Sequence, residues 1–244
     1  MKVSGNTVLI TGGSSGIGLA LAERFVHADN RVIVTGRREG LLEEVRRKLP
    51  SVTTIASDSG DATARAKLAA DVVGRFPGLN VLLNNAGIQR AVNLLENEPW
   101  QQTAQEIAIN LEGPIHMVAL LIAHLRRQER AAILNVSSGL AFVPLARVPV
   151  YSATKAALHS YTLSLRHQLR ASSVEVVEVI PPAVRSNLGG SHDFGVPTDE
   201  YADSVMAQLA EGRPETTYQF SAQSSQASRA EADAIFARMN ADRT

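Results

Sequence analysis

Short segments that are apolar at nearly every position alternate along this chain with longer stretches whose apolar residues recur every three or four positions. Near-continuous apolar runs mark strands buried on both faces, and the three-to-four spacing marks helices that bury one stripe. The first pattern predicts strands at Val8–Ile10, Arg31–Thr35, Val52–Ala56, Val81–Asn84, Ala132–Val136 and Val174–Ile180. The second predicts helices over 16–28, 39–48, 61–75, 99–127 and 151–171. Such alternation implies an α/β fold, with a central parallel sheet wound on both sides and flanked by helices. A length of 244 residues fits one domain over 1–244, with no linker or repeat before residue 181. Beyond it the pattern weakens. Residues 183–212 read as an irregular loop segment, Ser221 to Arg229 as polar and flexible, and Ala230 to Met239 as a short amphipathic helix.

Ligands on such sheets sit at the carboxyl ends of the strands, and the chain's unusual residues fall there. After the first strand comes Thr11-Gly12-Gly13-Ser14-Ser15-Gly16-Ile17-Gly18, opening a helix. Gly12 suits a tight turn, Gly16 a close approach of a pyrophosphate, and Gly18 close packing of the helix on the sheet; the anion would rest on free helix N-terminal amides. Later, Tyr151 and Lys155 stand four apart on a predicted helix, hence on one face, with Ser138 thirteen residues before Tyr151. An ammonium beside a phenol favours the phenolate, so this pairing predicts a Tyr151 pKa lowered towards a general acid/base range.

With both motifs present the chain resembles the short-chain dehydrogenases/reductases over residues 5 to 190. Asn84-Asn85-Ala86-Gly87 and Asn110 match further family positions, and Ser137-Ser138-Gly139-Leu140-Ala141-Phe142-Val143-Pro144 is similar to the DltE-like branch. The resemblance implies a Rossmann fold and reversible hydride transfer between a nicotinamide cofactor and a small-molecule carbonyl or secondary alcohol. It implies Tyr151 as proton donor and acceptor, Ser138 as the group holding the substrate oxygen, Lys155 on the nicotinamide ribose, and Asn110 holding a relay water. It further implies cofactor contacts from Gly12, Ser14, Ser15, Gly16, Ile17 and Gly18, from Asp58 to adenine, from Asn85, Ala86 and Gly87, and from Pro181, Val184 and Ser186. Pro182 departs from the glycine the family usually keeps there, removing an N–H. A homodimer or homotetramer is implied in the same way.

The end of the second strand bears on which cofactor. An acidic residue there would bind a ribose 2′-OH, but the chain reads Val34-Thr35-Gly36-Arg37-Arg38. Two guanidiniums suit a 2′-phosphate, so NADP is expected, with NAD possible in principle.

Composition narrows the remaining classes. Basic and acidic residues balance at 24 each, which leaves no electrostatic footprint for nucleic acid or an anionic membrane. The absence of cysteine excludes disulfides, thiolate catalysis and cysteine-ligated metals. The first residues enter a strand directly, and the apolar stretch Met117 to Ala123 is far shorter than a span, so a cytoplasmic protein is expected. His116/His124 and His159/His167 pair at eight-residue spacing without carboxylate neighbours, and read as surface or interface residues, with no metal. Trp100 and Tyr161 read as packing residues, with a subunit contact open as the place where they pack. Gln89, Arg90, Phe142, Leu145 and Phe194 are candidate substrate lining, with Arg90, Arg147 or Arg185 available for an acidic group. Two other functions remain open: sugar-nucleotide epimerisation or dehydration, which also uses Tyr and Lys four apart, and an NADP-binding regulatory or redox-sensing protein without turnover.

Overall fold

The computed structural model describes residues 1–96, 99–190 and 194–241. Seven parallel strands form one sheet in the order β3-β2-β1-β4-β5-β6-β7: β1 Thr7–Ile10, β2 Arg31–Gly36, β3 Thr53–Ala56, β4 Leu79–Asn84, β5 Ala131–Val136, β6 Val174–Ile180 and β7 Glu215–Thr217. The chain starts at β1, moves outward to β3, then crosses to β4 on the other side. That reversal opens a crevice above the carboxyl ends of β1 and β4, the place where doubly wound sheets bind ligands.

The central strands are largely apolar because both faces are covered, whereas the edge strands β3 and β7 are threonine-rich. On one face α1 (Gly16–His27), α2 (Glu39–Lys48) and α7 (Thr198–Ala210) bury Leu21, Phe25, Leu42, Tyr201 and Leu209 against Val8, Ile10 and Val34. On the other, α3 (Ala62–Arg75), α5 (Gly113–Leu125) and α6 (Pro149–Leu169) bury Leu68, Val72, Met117, Leu121 and Leu165 against Leu9, Ile33 and Leu82.

The expected helix 99–127 is not continuous. It runs as α4 (Trp100–Ile107), one π-helical turn (Ala108–Glu112) and α5, and the inserted turn turns Asn110 inward. Taken together residues 100–125 have the length and hydropathy of a membrane span, but the α5 half packs its Met117, Val118, Leu121 and Leu125 into the core. The irregular segment expected over 183–212 is corrected by α7, which packs along α1 and has Arg24 bridging to Asp199 and Asp203 at 2.7 and 2.8 Å; residues 191–193 of that segment lie outside the described residues. The flexible stretch expected over 221–229 is also corrected. Phe220–Gln226 forms α8, whose buried Ser221 donates to the Ile180 carbonyl at 2.6 Å. Arg229–Met239 forms α9, opened by a capping box between Ser228 and Glu231.

Candidate active site

One cavity of about 1550 Å³ runs along the carboxyl edge of the sheet. Its size exceeds that of a drug-like pocket and leaves room for a dinucleotide and a further small molecule. Every residue expected to contact the cofactor, from Gly12 to Ser186, borders it, as do Ser138, Tyr151 and Lys155. Asn110 does not; it lies just behind the wall.

At the β1 exit, Thr11 and Asn85 lock two strand ends together. Thr11 Oγ1 accepts from the Asn85 and Ala86 amides at 3.1 and 3.2 Å, and Asn85 Nδ2 donates to the Thr11 and Gly12 carbonyls at 3.0 Å each. Gly12 has φ +66°, and a Cβ there would lie 2.8 Å from Ala86 Cα. Gly18 serves a different purpose from the one expected: a Cβ would sit 2.4 Å from Asn85 Nδ2 and 2.6 Å from the Gly12 carbonyl oxygen, so it makes room for the Asn85 brace rather than for the sheet. Ser15 forms no side-chain cap, which leaves the first amides of α1 without a side-chain partner, and Gly16 at φ +53° opens towards Ser186. This uncapped N-terminus with its side-chain-free approach fits a pyrophosphate.

Arg37 and Arg38 border the cavity where β2 ends, and Gly36 keeps the space that Ser14 Oγ occupies, 2.7 Å from where a Cβ would be. Arg37 Nη1 lies 3.8 Å from Asp58 Oδ2, both half-exposed, while Asp58 Oδ1 accepts from the Gly60 amide at 2.8 Å. The loose Arg37–Asp58 contact leaves the guanidinium free to turn to a phosphate.

At the other end, α6 begins at Pro149, so Tyr151 sits in its first turn and Lys155 one turn on. Both are buried. Lys155 Nζ donates to the Val136 carbonyl at 2.7 Å and lies 5.5 Å from the Tyr151 ring centroid. Asn110 Oδ1 accepts from the Ile88 amide at 2.9 Å, and its Nδ2 donates to the Ile88 carbonyl at 2.8 Å and to Thr154 Oγ1 at 3.3 Å. A Cβ on Gly87 would approach Asn110 Oδ1 to 3.4 Å and Lys155 Nζ to 3.6 Å, so the two side chains converge there. Ser138 Oγ accepts from the Leu140 amide at 3.1 Å, and its hydrogen bond to Tyr151 acts to lower the phenol pKa.

The expected lowering of the tyrosine pKa is corrected by burial, which outweighs Ser138 and, with the Glu106 charge adding to it, pushes Tyr151 up to about 12. Burial also brings Lys155 down to about 8, against the opposing carboxylates of Glu178 and Glu106.

Those two carboxylates escaped the sequence reading. Glu178, fully buried on β6, accepts from Ser137 Oγ at 2.5 Å and faces His159 Nδ1 at 2.8 Å. Its hydrogen bond raises the His159 pKa. The available signal was Glu178 itself, the second of two glutamates in the otherwise apolar β6, three residues before Pro181. Glu106 is buried one helical turn before Asn110, with no partner in full hydrogen-bond geometry among the described residues; the Arg90 backbone amide interacts only loosely, and burial pushes the Glu106 pKa up. Three further expectations are corrected. Phe142 does not border the cavity; its ring edge packs on His159, centroids 4.6 Å apart. Arg185 points elsewhere, donating to the Gly195 carbonyl at 3.1 Å. Of the histidines, His124 is buried against the Leu79 carbonyl at 2.9 Å rather than on the surface, and the half-buried His159 faces Glu178. Trp100 is 67% exposed on the single chain, so a packing partner for it would come from another copy. Gln89, Arg90, Leu145 and Phe194 do border the cavity, joined by Phe220, by Arg238 and Met239 at the end of α9 and by Asn240 and Ala241 after it, which the sequence did not indicate.

Known proteins share this architecture and its sequence. The family model described as short chain dehydrogenase matches residues 6–193. An uncharacterised oxidoreductase of Bacillus subtilis, DltE, is 44% identical over 248 aligned positions covering 98% of each chain. The NADP-dependent 3-hydroxy acid dehydrogenase YdfG of Salmonella typhi is 30% identical over 178 positions, 72% of each chain. Among solved structures, a short chain dehydrogenase from Burkholderia cenocepacia in complex with NADP superposes with a TM-score of 0.85 at 26% identity, covering 98% of this chain and 99% of that one. The chain belongs to the short-chain dehydrogenases, in the branch of the DltE oxidoreductase.

Proposed function

We propose that this oxidoreductase uses NADP(H) to interconvert a carbonyl and a secondary alcohol, with Tyr151 moving the proton. The observation that carries the reading is the meeting of Ser138, Tyr151 and Lys155, with Asn110 behind them, at one end of a cavity whose other end offers Arg37 and Arg38. Bound there, the nicotinamide supplies or accepts the hydride. Gly12 to Gly18 would hold the pyrophosphate on the α1 amides, and Arg37 and Arg38 would bind the 2′-phosphate; β2 itself ends without a carboxylate, and Asp58, after β3, makes only a loose 3.8 Å contact with Arg37. The NADP in the Burkholderia structure and the NADP dependence of YdfG agree with that choice.

Ser138 donates to the substrate oxygen and fixes it beside Tyr151. A phenol with a pKa of about 12 is fully protonated at neutral pH, so Tyr151 is ready to give its proton to a developing alkoxide. Lys155, still largely an ammonium below pH 8, stabilises the phenolate left behind, and Asn110 positions the path by which the proton is restored. The outer faces of α4 and α6, with Trp100 and Leu163 exposed, are the surfaces through which two or four copies would associate.

The test is NADPH and NADH consumption by purified protein against ketones, aldehydes and quinones, with Tyr151→Phe alongside. Turnover reduced about 10²–10⁴-fold in the variant supports the reductase. Tight NADPH binding with no turnover by the native protein would favour a dinucleotide-sensing role instead.

A further inference from the structure

The cavity carries a charge bias that hydride transfer does not require. Arg90, Arg147 and Arg238 border its end beyond Tyr151, and no Asp or Glu borders that end among the described residues. The only described carboxylate in the whole lining is Asp58, at the opposite end beside Arg37. Since the chain has 24 basic and 24 acidic residues, the excess is local and not compositional. Arg90 already has partners, donating to the Gln102 carbonyl at 2.7 Å and to Gln105 Oε1 at 2.6 Å. Arg147 and Arg238 have neither an ion pair nor a side-chain hydrogen bond among the described residues.

These two arginines come from distant parts of the chain, and a clasp brings their segments together. The Ala146 amide donates to Asn240 Oδ1 at 2.6 Å, and Asn240 Nδ2 donates to the Pro144 carbonyl at 3.3 Å. The end of α9 is thereby held against the loop that leads into α6 and Tyr151. Between the cations the walls are apolar, from Leu140, Leu145, Phe220 and Met239. The cofactor's 2′-phosphate cannot explain the pair. Arg37 follows β2 and Arg147 follows β5, with β1 and β4 between them. Three inter-strand steps separate those exits by about 14 Å.

We infer that the chamber beyond Tyr151 is an anion subsite, and that the substrate is a carbonyl or alcohol compound with an apolar body and a carboxylate or phosphate group held by Arg147 and Arg238. The guanidinium fork suits both groups through paired charge-assisted hydrogen bonds. The assignment rests on reading Tyr151 as the reacting end of the cavity.

Binding measured without turnover tests it separately from that reading. Benzoate, phenyl phosphate and benzamide share a ring but differ in charge, and each is titrated calorimetrically into the protein with NADPH present. At least one anion should bind ten-fold or more tighter than benzamide, with the preference falling as salt rises. Whichever anion leads identifies the group. In Arg147→Gln/Arg238→Gln the preference should vanish while NADPH affinity stays unchanged. Arg238→Gln alone, in the exposed last turn of α9, should lose part of it with the melting temperature intact. Equal binding of all three ligands, no binding of either anion, or a preference retained in the double variant would overturn the subsite. So would a parallel collapse of NADPH affinity, which would place the arginines on the cofactor. A protein that binds benzoate through these arginines yet reduces no carbonyl keeps the subsite and loses the reductase reading; rapid reduction of neutral ketones by both forms does the reverse.

Discussion

Replacing Glu178 by Gln probes the buried charge beneath the reacting groups. The carboxylate accepts from Ser137 at 2.5 Å and pairs with His159 at 2.8 Å, and it is fully buried while His159 is 23% exposed. Glutamine keeps the shape and an acceptor for Ser137, so the change isolates the bond to His159. A hydrogen bond between charged partners contributes about 1.5–3 kcal/mol, a neutral one about 0.5–1.5 kcal/mol. The sign with pH follows from the raised His159 pKa. Its stabilisation is complete below the unfolded value of about 6.5 and is lost as pH rises through the folded value. Lys155 itself has the opposite sign, but its attraction to Glu178 acts in the same sense as the histidine pair. Its folded pKa is depressed to about 8, so its buried ammonium costs stability as pH falls from 10.5 to 8, and Glu178 offsets part of that cost. The variant should therefore lose about 2 kcal/mol at pH 6, or roughly 4–8 °C in Tm for a chain of this size. At pH 9 the loss should shrink to about 1 kcal/mol or less. Thermal and denaturant unfolding of both proteins from pH 5.5 to 9 measures the difference, and His159→Gln separates the histidine's share from that of the lysine. A penalty that is constant across pH, or greater at pH 9, would refute the argument.

Other outcomes follow from the same geometry. The rate of carbonyl reduction should fall as pH rises above about 8, because Lys155 then loses its proton and the phenolate its counter-charge; a pH–kcat profile with no alkaline decline there would count against that role. In Glu178→Gln the same limb should move to lower pH, since a carboxylate that raises the Lys155 pKa is gone. Arg37→Asp should weaken NADPH binding about 10–100-fold, as expected for losing one charge-assisted hydrogen bond, and spare NADH; an unchanged NADPH/NADH ratio would remove Arg37 from the phosphate site. Gly18→Ala puts a methyl 2.4 Å from Asn85 Nδ2 and 2.6 Å from a backbone oxygen, so about 1–3 kcal/mol of stability should be lost along with cofactor affinity, read by melting and fluorescence titration.

Much of this fold was legible because parallel strands buried on both faces must be apolar at every position, a pattern with few imitators. What escaped notice did so for specific physical reasons. Helix α7 buries Tyr201, Ala202, Val205 and Leu209 at helical spacing, but Asp199, Glu200, Asp203 and Gln208 dilute the apolar signal, and the expectation of a loop after β6 hid it. Helix α8 buries Ser221 and Ser224, and a serine contributes to a core only when its hydroxyl finds a partner such as the Ile180 carbonyl. No local pattern announces such a partner, so a serine-rich stretch reads as flexible. The break at Asn110 was foreshadowed by the residue itself, but its extra backbone turn is not written in any periodicity.

The site divides along the same line. Residues on one turn or one helix face, such as Tyr151 and Lys155, are neighbours by covalent geometry, and their spacing carries over intact. The sign of a pKa does not, because it depends on everything within reach. Lys155 turns to the Val136 carbonyl, and burial then governs Tyr151. Glu178 enters through strand pairing, where the β5–β6 register sets Val179 beside Val136 and so brings Glu178 under Ser137. Arg238 enters through the contact of the C-terminal helix with the loop before α6. Catalytic groups that share an element are thus visible in one dimension, whereas the charges that tune them and the arginines that would select a substrate arrive from other elements. On that division the proposed reaction class would rest on the geometry of one helix and its strand exits, and the proposed substrate choice on the surfaces that α9 and the loop before α6 bring to the same cavity.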